Sequence, residues 1–189
     1  MNDLGPYREI VPEDAELLLR WRCSPRVSQG YGFCPPNEIE AQKKWILDSR
    51  ESPDSYHWLA LDNGNPAGYT KFHHWDREKG TCRTGGYLGS PEFTKYVKFG
   101  ADMFHSFLFH NLNIKEVHIR ILESNTGAIR FNSVYGFRRN PEGDAEATRD
   151  NGVPTLAFVL DKDTWLKKFR IDRCLVPFPT EYWKHSPFK

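Results

Sequence analysis

The chain has 189 residues, with 26 Lys and Arg against 25 Asp and Glu and a formal net charge of +1. That length makes one domain with a full core, and the charge balance excludes the basic excess that a nucleic-acid binder needs to displace counterions. Aromatic residues reach 14%, which gives a large buried area per residue and excludes disorder.

Tyr7 to Ile10 reads as a short first strand. Pro12 opens a helix. Its positions Ala15, Leu18 and Leu19 share a face with the stem of Arg22, and Leu17 and Trp21 flank it. Gly30 to Pro36 is loop by its Gly and Pro content. Asn37 followed by Glu40 predicts a capping box for a second helix that runs to about Ser49. Tyr56 to Leu61, Pro66 to Trp75 and Thr81 to Gly89 read as an antiparallel meander. The hairpin signal Asn63-Gly64-Asn65 and the polar turn Asp76 to Gly80 join its strands.

The period then changes. From Val97 to Asn111, Gly100, Met103, Phe104, Phe107 and Leu108 recur at helical spacing. Val117, Ile119 and Ile121 alternate along a strand from Glu116 to Leu122. Asn125 to Tyr135 reads as a helix stopped by Gly136, Val153 to Leu160 as a strand, and Asp163 to Arg170 as a short helix. Asn140 to Gly152 is polar and turn-rich. The order predicts an α+β fold with a mixed, mostly antiparallel sheet and one parallel crossover in the middle. Residues 1–170 make the domain, and residues 171–189, with Pro177, Pro179 and Pro187, an irregular aromatic tail.

No apolar run approaches the roughly 18 residues of a membrane span. The start of the chain, Met1 to Pro6, shows neither the charged nor the apolar region of a secretory signal. Cys23, Cys34, Cys82 and Cys174 form no C-x-x-C pair, and their scatter is that of reduced thiols in a cytoplasmic protein. His105 and His110 lie five apart on a helix, which is wrong for a shared metal face, and no spacing supports a metal.

Two segments point to chemistry. A strand, a turn and a helix N-terminus together favour an anion, because backbone N–H groups and the helix dipole converge there. Here the turn is Lys95 to Ala101. Gly100 permits close approach, and Lys95 and Lys98 add charge. The second segment is Asn125-x-x-Ala128-Ile129, followed by Gly136-Phe137, directly after a strand.

That ordered set resembles the Gcn5-related N-acetyltransferase (GNAT) superfamily. The early residues Val11-Pro12-Glu13-Asp14-Ala15 and Leu19 to Val27 resemble its ribosomal-protein-alanine and amino-sugar acetyltransferase branch. The likeness covers about residues 7–160. It implies a GNAT fold, in which two neighbouring parallel strands splay and acetyl-CoA lies in the cleft as cosubstrate. It implies that Lys95, Val97, Lys98, Phe99, Gly100 and Ala101 surround the pyrophosphate, that Leu88 and Gly89 hold the pantetheine arm, and that Asn125 holds the far side.

Three positions depart from the family pattern. Lys98 replaces the first glycine of the loop. Asn132 stands where many members carry a tyrosine that protonates the leaving thiolate; it can hydrogen-bond the sulfur but cannot act as an acid, and Tyr135 beside it reads as core. Arg83 and Thr84 stand where the branch often carries a glutamate. Acyl transfer needs a neutral amine and hence a proton acceptor. His73 and His74 are the candidates, adjacent on the second meander strand and therefore facing opposite ways. His118 is a candidate substrate group. Trp21, Tyr31, Phe33, Trp75 and Tyr87 are candidates for an aromatic acceptor wall.

These residues imply acetyl transfer to the primary amine of a small molecule, for example a nucleotide-linked amino sugar. The alternatives are acetylation of a protein N-terminus and a degenerate, non-catalytic acyl-CoA binder. The expected partner is the small-molecule amine, with no nucleic acid and no membrane, and a homodimer is compatible with the reading.

Overall fold

The computed structural model describes residues 6–144 and 152–189. The first five residues and most of the polar stretch after Asn140 therefore lie outside the described residues. The strands are β1 (Tyr7–Glu9), β2 (Tyr56–Asp62), β3 (Asn65–Asp76), β4 (Thr81–Leu88), β5 (Glu116–Leu122), β6 (Arg138–Arg139) and β7 (Thr155–Asp161). They form one sheet in the order β1-β2-β3-β4-β5-β7-β6. Every neighbouring pair is antiparallel except β4 and β5. The helices are α1 (Ala15–Cys23), α2 (Pro25–Tyr31), α3 (Ile39–Ser49), α4 (Val97–His110), α5 (Thr126–Tyr135) and α6 (Lys162–Phe169). This is the expected α+β mixed sheet with a central parallel pair.

The β2–β3 hairpin turns at Asn63 and Gly64, both with positive φ (49° and 80°), the pairing that a tight two-residue hairpin with right-handed strand twist requires. The β4–β5 crossover is α4. Its apolar stripe buries Met103, Phe104, Phe107 and Leu108 against Trp58, Phe72, Val117 and Ile119. Each fully buried side chain of this size contributes about 1.5–3 kcal/mol. A second cluster, with Leu18, Trp21, Ile46, Leu59 and Tyr69, holds α1 and α3 to the sheet.

Four local expectations are corrected. The stretch expected to be loop begins as a helix: Pro25 sits in the first turn of α2, which ends at Gly32 with φ 67°. The expected Asn37–Glu40 capping box is absent. Glu38 is the N-cap of α3 without a side-chain cap, and Glu40 pairs instead with Lys43 at 2.8 Å. His73 and His74 do not face opposite ways. The β3–β4 register shifts between His73 and Asp76, His74 has φ 53°, and the two rings lie 4.6 Å apart. Finally, Cys23 and Cys34 form a disulfide, with Cα atoms 4.9 Å apart. α2 turns the chain back so that these two meet, which spacing alone does not show. Cys82 and Cys174 are free thiols.

The segment after Phe169 is irregular but integral. Phe178 and Trp183 are buried in the main core. Phe178 stacks on Tyr7 and Phe107 at 4.0 and 4.6 Å, and Trp58 Nε1 donates to the Pro179 carbonyl at 2.7 Å. Among the described residues, no helix is long and apolar enough to cross a membrane.

Candidate active site

β4 and β5 pair only over Thr81–Glu116, Cys82–Val117 and Arg83–His118. Beyond that rung the two strands part. From Thr84 to Leu88, β4 continues to pair with β3, while its edge that faces β5 is left without a strand partner from Thr84 onward. The gap opens a cavity of about 990 Å³, walled by β4 and β5, the first turn of α4 and the N-terminal half of α5.

The structure brings most of the expected cofactor residues to this cleft. Leu88, Val97, Lys98, Phe99, Gly100, Ala101, Asn125 and Asn132 all line it. Lys95 lies in the 3₁₀ turn Pro91–Tyr96 that leads into α4. A Cβ at Gly100 would meet only the Tyr7 hydroxyl, at 3.4 Å, so this first-turn backbone is open to a ligand. Tyr7 Oη in turn donates to the Gly100 carbonyl at 3.1 Å and fixes the turn from β1.

Lys98 pairs with Asp102 at 2.7 Å. Asp102 also accepts from Tyr135 Oη at 2.9 Å, and Tyr135 Oη accepts from Trp165 Nε1 at 3.1 Å. This network ties the first turn of α4 to α5 and α6. Burial holds the Tyr135 hydroxyl far above its ordinary range, and Tyr135 packs in the main core.

Gly89 lies just past the cleft lining. Its amide donates to the Ala67 carbonyl at 2.7 Å, and a Cβ there would stand 2.2 Å from the Trp21 ring. Asn125 caps α5, with Oδ1 accepting from the Ala128 amide at 3.1 Å, while Nδ2 donates to the Gly30 carbonyl at 3.4 Å. Asn132 Nδ2 donates to the Ala128 carbonyl at 2.8 Å.

The sequence reading missed the contribution of α2. Arg26 donates to the Leu88 carbonyl, and Tyr31 Oη donates to the Gly86 carbonyl at 3.0 Å. Two carbonyls in the splayed part of β4 thus accept from side chains of α2. Pro25 after Ser24 was the signal: a Pro at a first helical position following a capping-type residue.

The aromatic candidates divide. Tyr31 and Tyr87 line the cleft and meet edge to face at 5.8 Å. Trp21 packs edge-on to Tyr87 at 6.5 Å inside the second core cluster. Phe33 is exposed. Trp75 is elsewhere, packed against the main core with the Arg77 guanidinium 4.2 Å from its ring.

The histidine candidates do not line the cleft. His74 is exposed at the bulge, 4.0 Å from Asp54. His73 is half-buried, and burial together with Lys71, His74, Arg83 and Arg120 lowers its pKa to about 3. His118 stands on the last β4–β5 rung, 3.4 Å from Glu116. Burial lowers its pKa, and Glu116 acts in the opposite direction.

The family model described as acetyltransferase (GNAT) domain matches residues 7–138. The chain belongs to the GNAT family. A curated relative, the acyltransferase fer5 of Mycosarcoma maydis, is 28% identical over 93 residues, 49% of this chain and 21% of that protein. The matched part thus spans about a fifth of that relative. Among solved structures, an aminoglycoside acetyltransferase AAC(6')-Ib in complex with coenzyme A superposes with TM-score 0.69 at 18% identity, covering 87% of this chain and 98% of that one. A nucleotide-linked sugar GNAT, FdhC, superposes with TM-score 0.66 at 14% identity, covering 86% and 89%. At these identities the solved structures share the GNAT fold, and the cleft described above is that fold's central gap.

Proposed function

We propose that this GNAT domain transfers an acetyl group from acetyl-CoA to the primary amine of a small molecule. The observation that carries the reading is the parting of β4 and β5 past Arg83 and His118, which opens a cleft of about 990 Å³ onto the first turn of α4. The residues present fit a coenzyme A. Gly100 leaves the helix start approachable, and the helix dipole with the Lys98 ammonium favours a pyrophosphate there. Bound acetyl-CoA supplies an activated thioester carbonyl.

The residues of the chain divide the remaining work. The first turn of α4 anchors the anionic end. β4 aligns the pantetheine arm. Arg26 and Ala67 already engage the Leu88 carbonyl and the Gly89 amide, so the arm meets the other groups of the strand. Asn132 uses one amide hydrogen on Ala128 and has a second to offer the departing sulfur, though it has no proton to give up. Tyr31 and Tyr87 wall the side from which the amine arrives. His73 and His74 do not line the cleft, whereas His105 does, and His118 stands on the last β4–β5 rung.

Two of the structural neighbours act on small molecules by their names, an aminoglycoside acetyltransferase and a nucleotide-linked sugar GNAT. They support a small acceptor, as does the balanced charge of the chain, which lacks an acidic excess to receive a basic peptide. The test is calorimetric titration with acetyl-CoA, followed by thiol release across a panel of primary amines. Binding and release support the reading. Binding with no release on any amine makes the chain an acyl-CoA binder without catalysis, and no binding at all refutes the proposal.

A further inference from the structure

α2 bridges the two walls of the splay. On the β4 side, Arg26 donates to the Leu88 carbonyl and Tyr31 Oη to the Gly86 carbonyl. On the β5 side, the Gly30 carbonyl accepts from Asn125 Nδ2 at 3.4 Å, and a Cβ at Gly30 would stand 2.9 Å from that same nitrogen. Gly32, which ends the helix, lies against Leu122 at the end of β5: a Cβ there would be 3.2 Å from the leucine side chain. Arg26, Tyr31, Gly86, Leu88 and Asn125 all line the cleft. A seven-residue helix thus spans the gap that the missing β4–β5 pairing leaves open.

So short a helix does not hold itself. Isolated helices below about 12–15 residues are marginal in water, and Val27 is the side chain that this one buries. After Gly32, residues 33–38 belong to no helix or strand. The segment is closed covalently. Cys23 is the last residue of α1, Cys34 follows Gly32 by two, and the two are joined. The ring they close contains the whole of α2. Cys34 is exposed and Cys23 half-buried, so a thiol in solution can reach the bond. The bond therefore sits at the rim of the cleft, whereas Cys82, inside the main core, stays a free thiol.

We infer that the Cys23–Cys34 bond is a reversible redox lock on α2. Oxidised, it holds the helix across the splay and keeps the two walls of the acetyl-CoA cleft tied together. Reduced, it releases the helix and weakens the binding of acetyl-CoA. The inference rests on the acetyltransferase reading and adds control of that same site.

Glutathione is the reductant that the step requires. The thiolate of one reduced glutathione attacks the exposed Cys34 Sγ. The protein S–S bond breaks, and Cys23 Sγ leaves as a thiolate that takes a proton from water. A second glutathione thiolate attacks the glutathione sulfur of the mixed disulfide. Cys34 is released, takes up a proton and becomes a thiol, and one oxidised glutathione departs. Two glutathione thiols are oxidised, and the protein disulfide accepts their two electrons.

The experiment equilibrates the full chain with glutathione at a series of reduced-to-oxidised ratios. Thiols are counted, amide hydrogen exchange is followed by mass spectrometry, and acetyl-CoA is titrated calorimetrically on the same samples. Two further thiols are expected to appear within the series. Amides of residues 25–36 should then exchange at least about ten-fold faster, while α4 and α6 keep their protection. Acetyl-CoA affinity should fall at least about five-fold, the low end of coupling between two sites. Cys34→Ser should show the reduced behaviour at every ratio, and the wild-type comparison decides alone if circular dichroism shows that variant misfolded. A bond that glutathione leaves intact throughout is a permanent staple and overturns the inference. So does reduction that leaves residues 25–36 equally protected, or that strips protection from the whole chain. Absence of acetyl-CoA binding in both states refutes the acetyltransferase reading, whereas binding of equal strength in both refutes only the lock.

Discussion

Gly89 lies against the indole of Trp21, with no room for a side chain: an added Cβ would stand 2.2 Å from Cε2 of the ring. Trp21 in turn packs against Tyr87 of the cleft wall. Gly89→Ala must therefore displace either the end of β4 or α1. Overpacking of this kind costs about 1–3 kcal/mol. A urea titration should show the midpoint lowered with an unchanged slope, and acetyl-CoA binding should weaken with it. A variant as stable as the wild type would mean that Trp21 does not occupy this position.

The disulfide makes a chemical prediction. Cys23 and Cys34 are 11 residues apart in sequence, and a loop of about this size contributes roughly 2–3 kcal/mol by restricting the unfolded chain. The unfolded, unreduced protein should titrate two thiols, Cys82 and Cys174, and four after reduction. Four thiols before reduction would remove the bond. Cys34→Ser should lower the melting temperature and loosen α2, which carries Arg26 and Tyr31.

Three histidines shape the acid response of the fold. Burial lowers His57 to about 3, His73 to about 3 and His105 to about 4. Their folded values lie below the ordinary 6.5, so the unfolded chain binds more protons than the folded one between pH 6.5 and 4. Stability therefore rises with pH across that window and is lost as pH falls. The urea midpoint at pH 5.0 should lie clearly below that at pH 7.5. Because His73 stays neutral throughout, His73→Ala should leave the pH–rate profile between pH 6 and 9 unchanged in shape. A lost limb in that profile would place a working base at His73.

Much of this fold is legible in the residues because the local signals agree with one another. Asn63-Gly64 requires a tight hairpin, Val117, Ile119 and Ile121 alternate, and Gly136 stops α5. The loop before α4 could be read as an anion site before any family likeness was considered. The illegible parts depend on tertiary placement. α2 is a seven-residue helix, too short for a periodicity to show, and with it went the disulfide and the Arg26 and Tyr31 contacts to β4. Period-2 reasoning sent His73 and His74 to opposite faces, and a bulge with a left-handed residue undid that.

The central claim is that the opening between β4 and β5 is an acetyl-CoA site anchored at the first turn of α4. Gly100→Glu tests it most directly, because it places a bulky carboxylate where the pyrophosphate would sit. A first-turn acid does not harm the helix itself, so the fold should survive. Calorimetric titration with acetyl-CoA should show saturable binding to the wild type and a loss of at least about two decades of affinity, roughly 2.7 kcal/mol, in the variant. Equal affinity in the two proteins would contradict the placement.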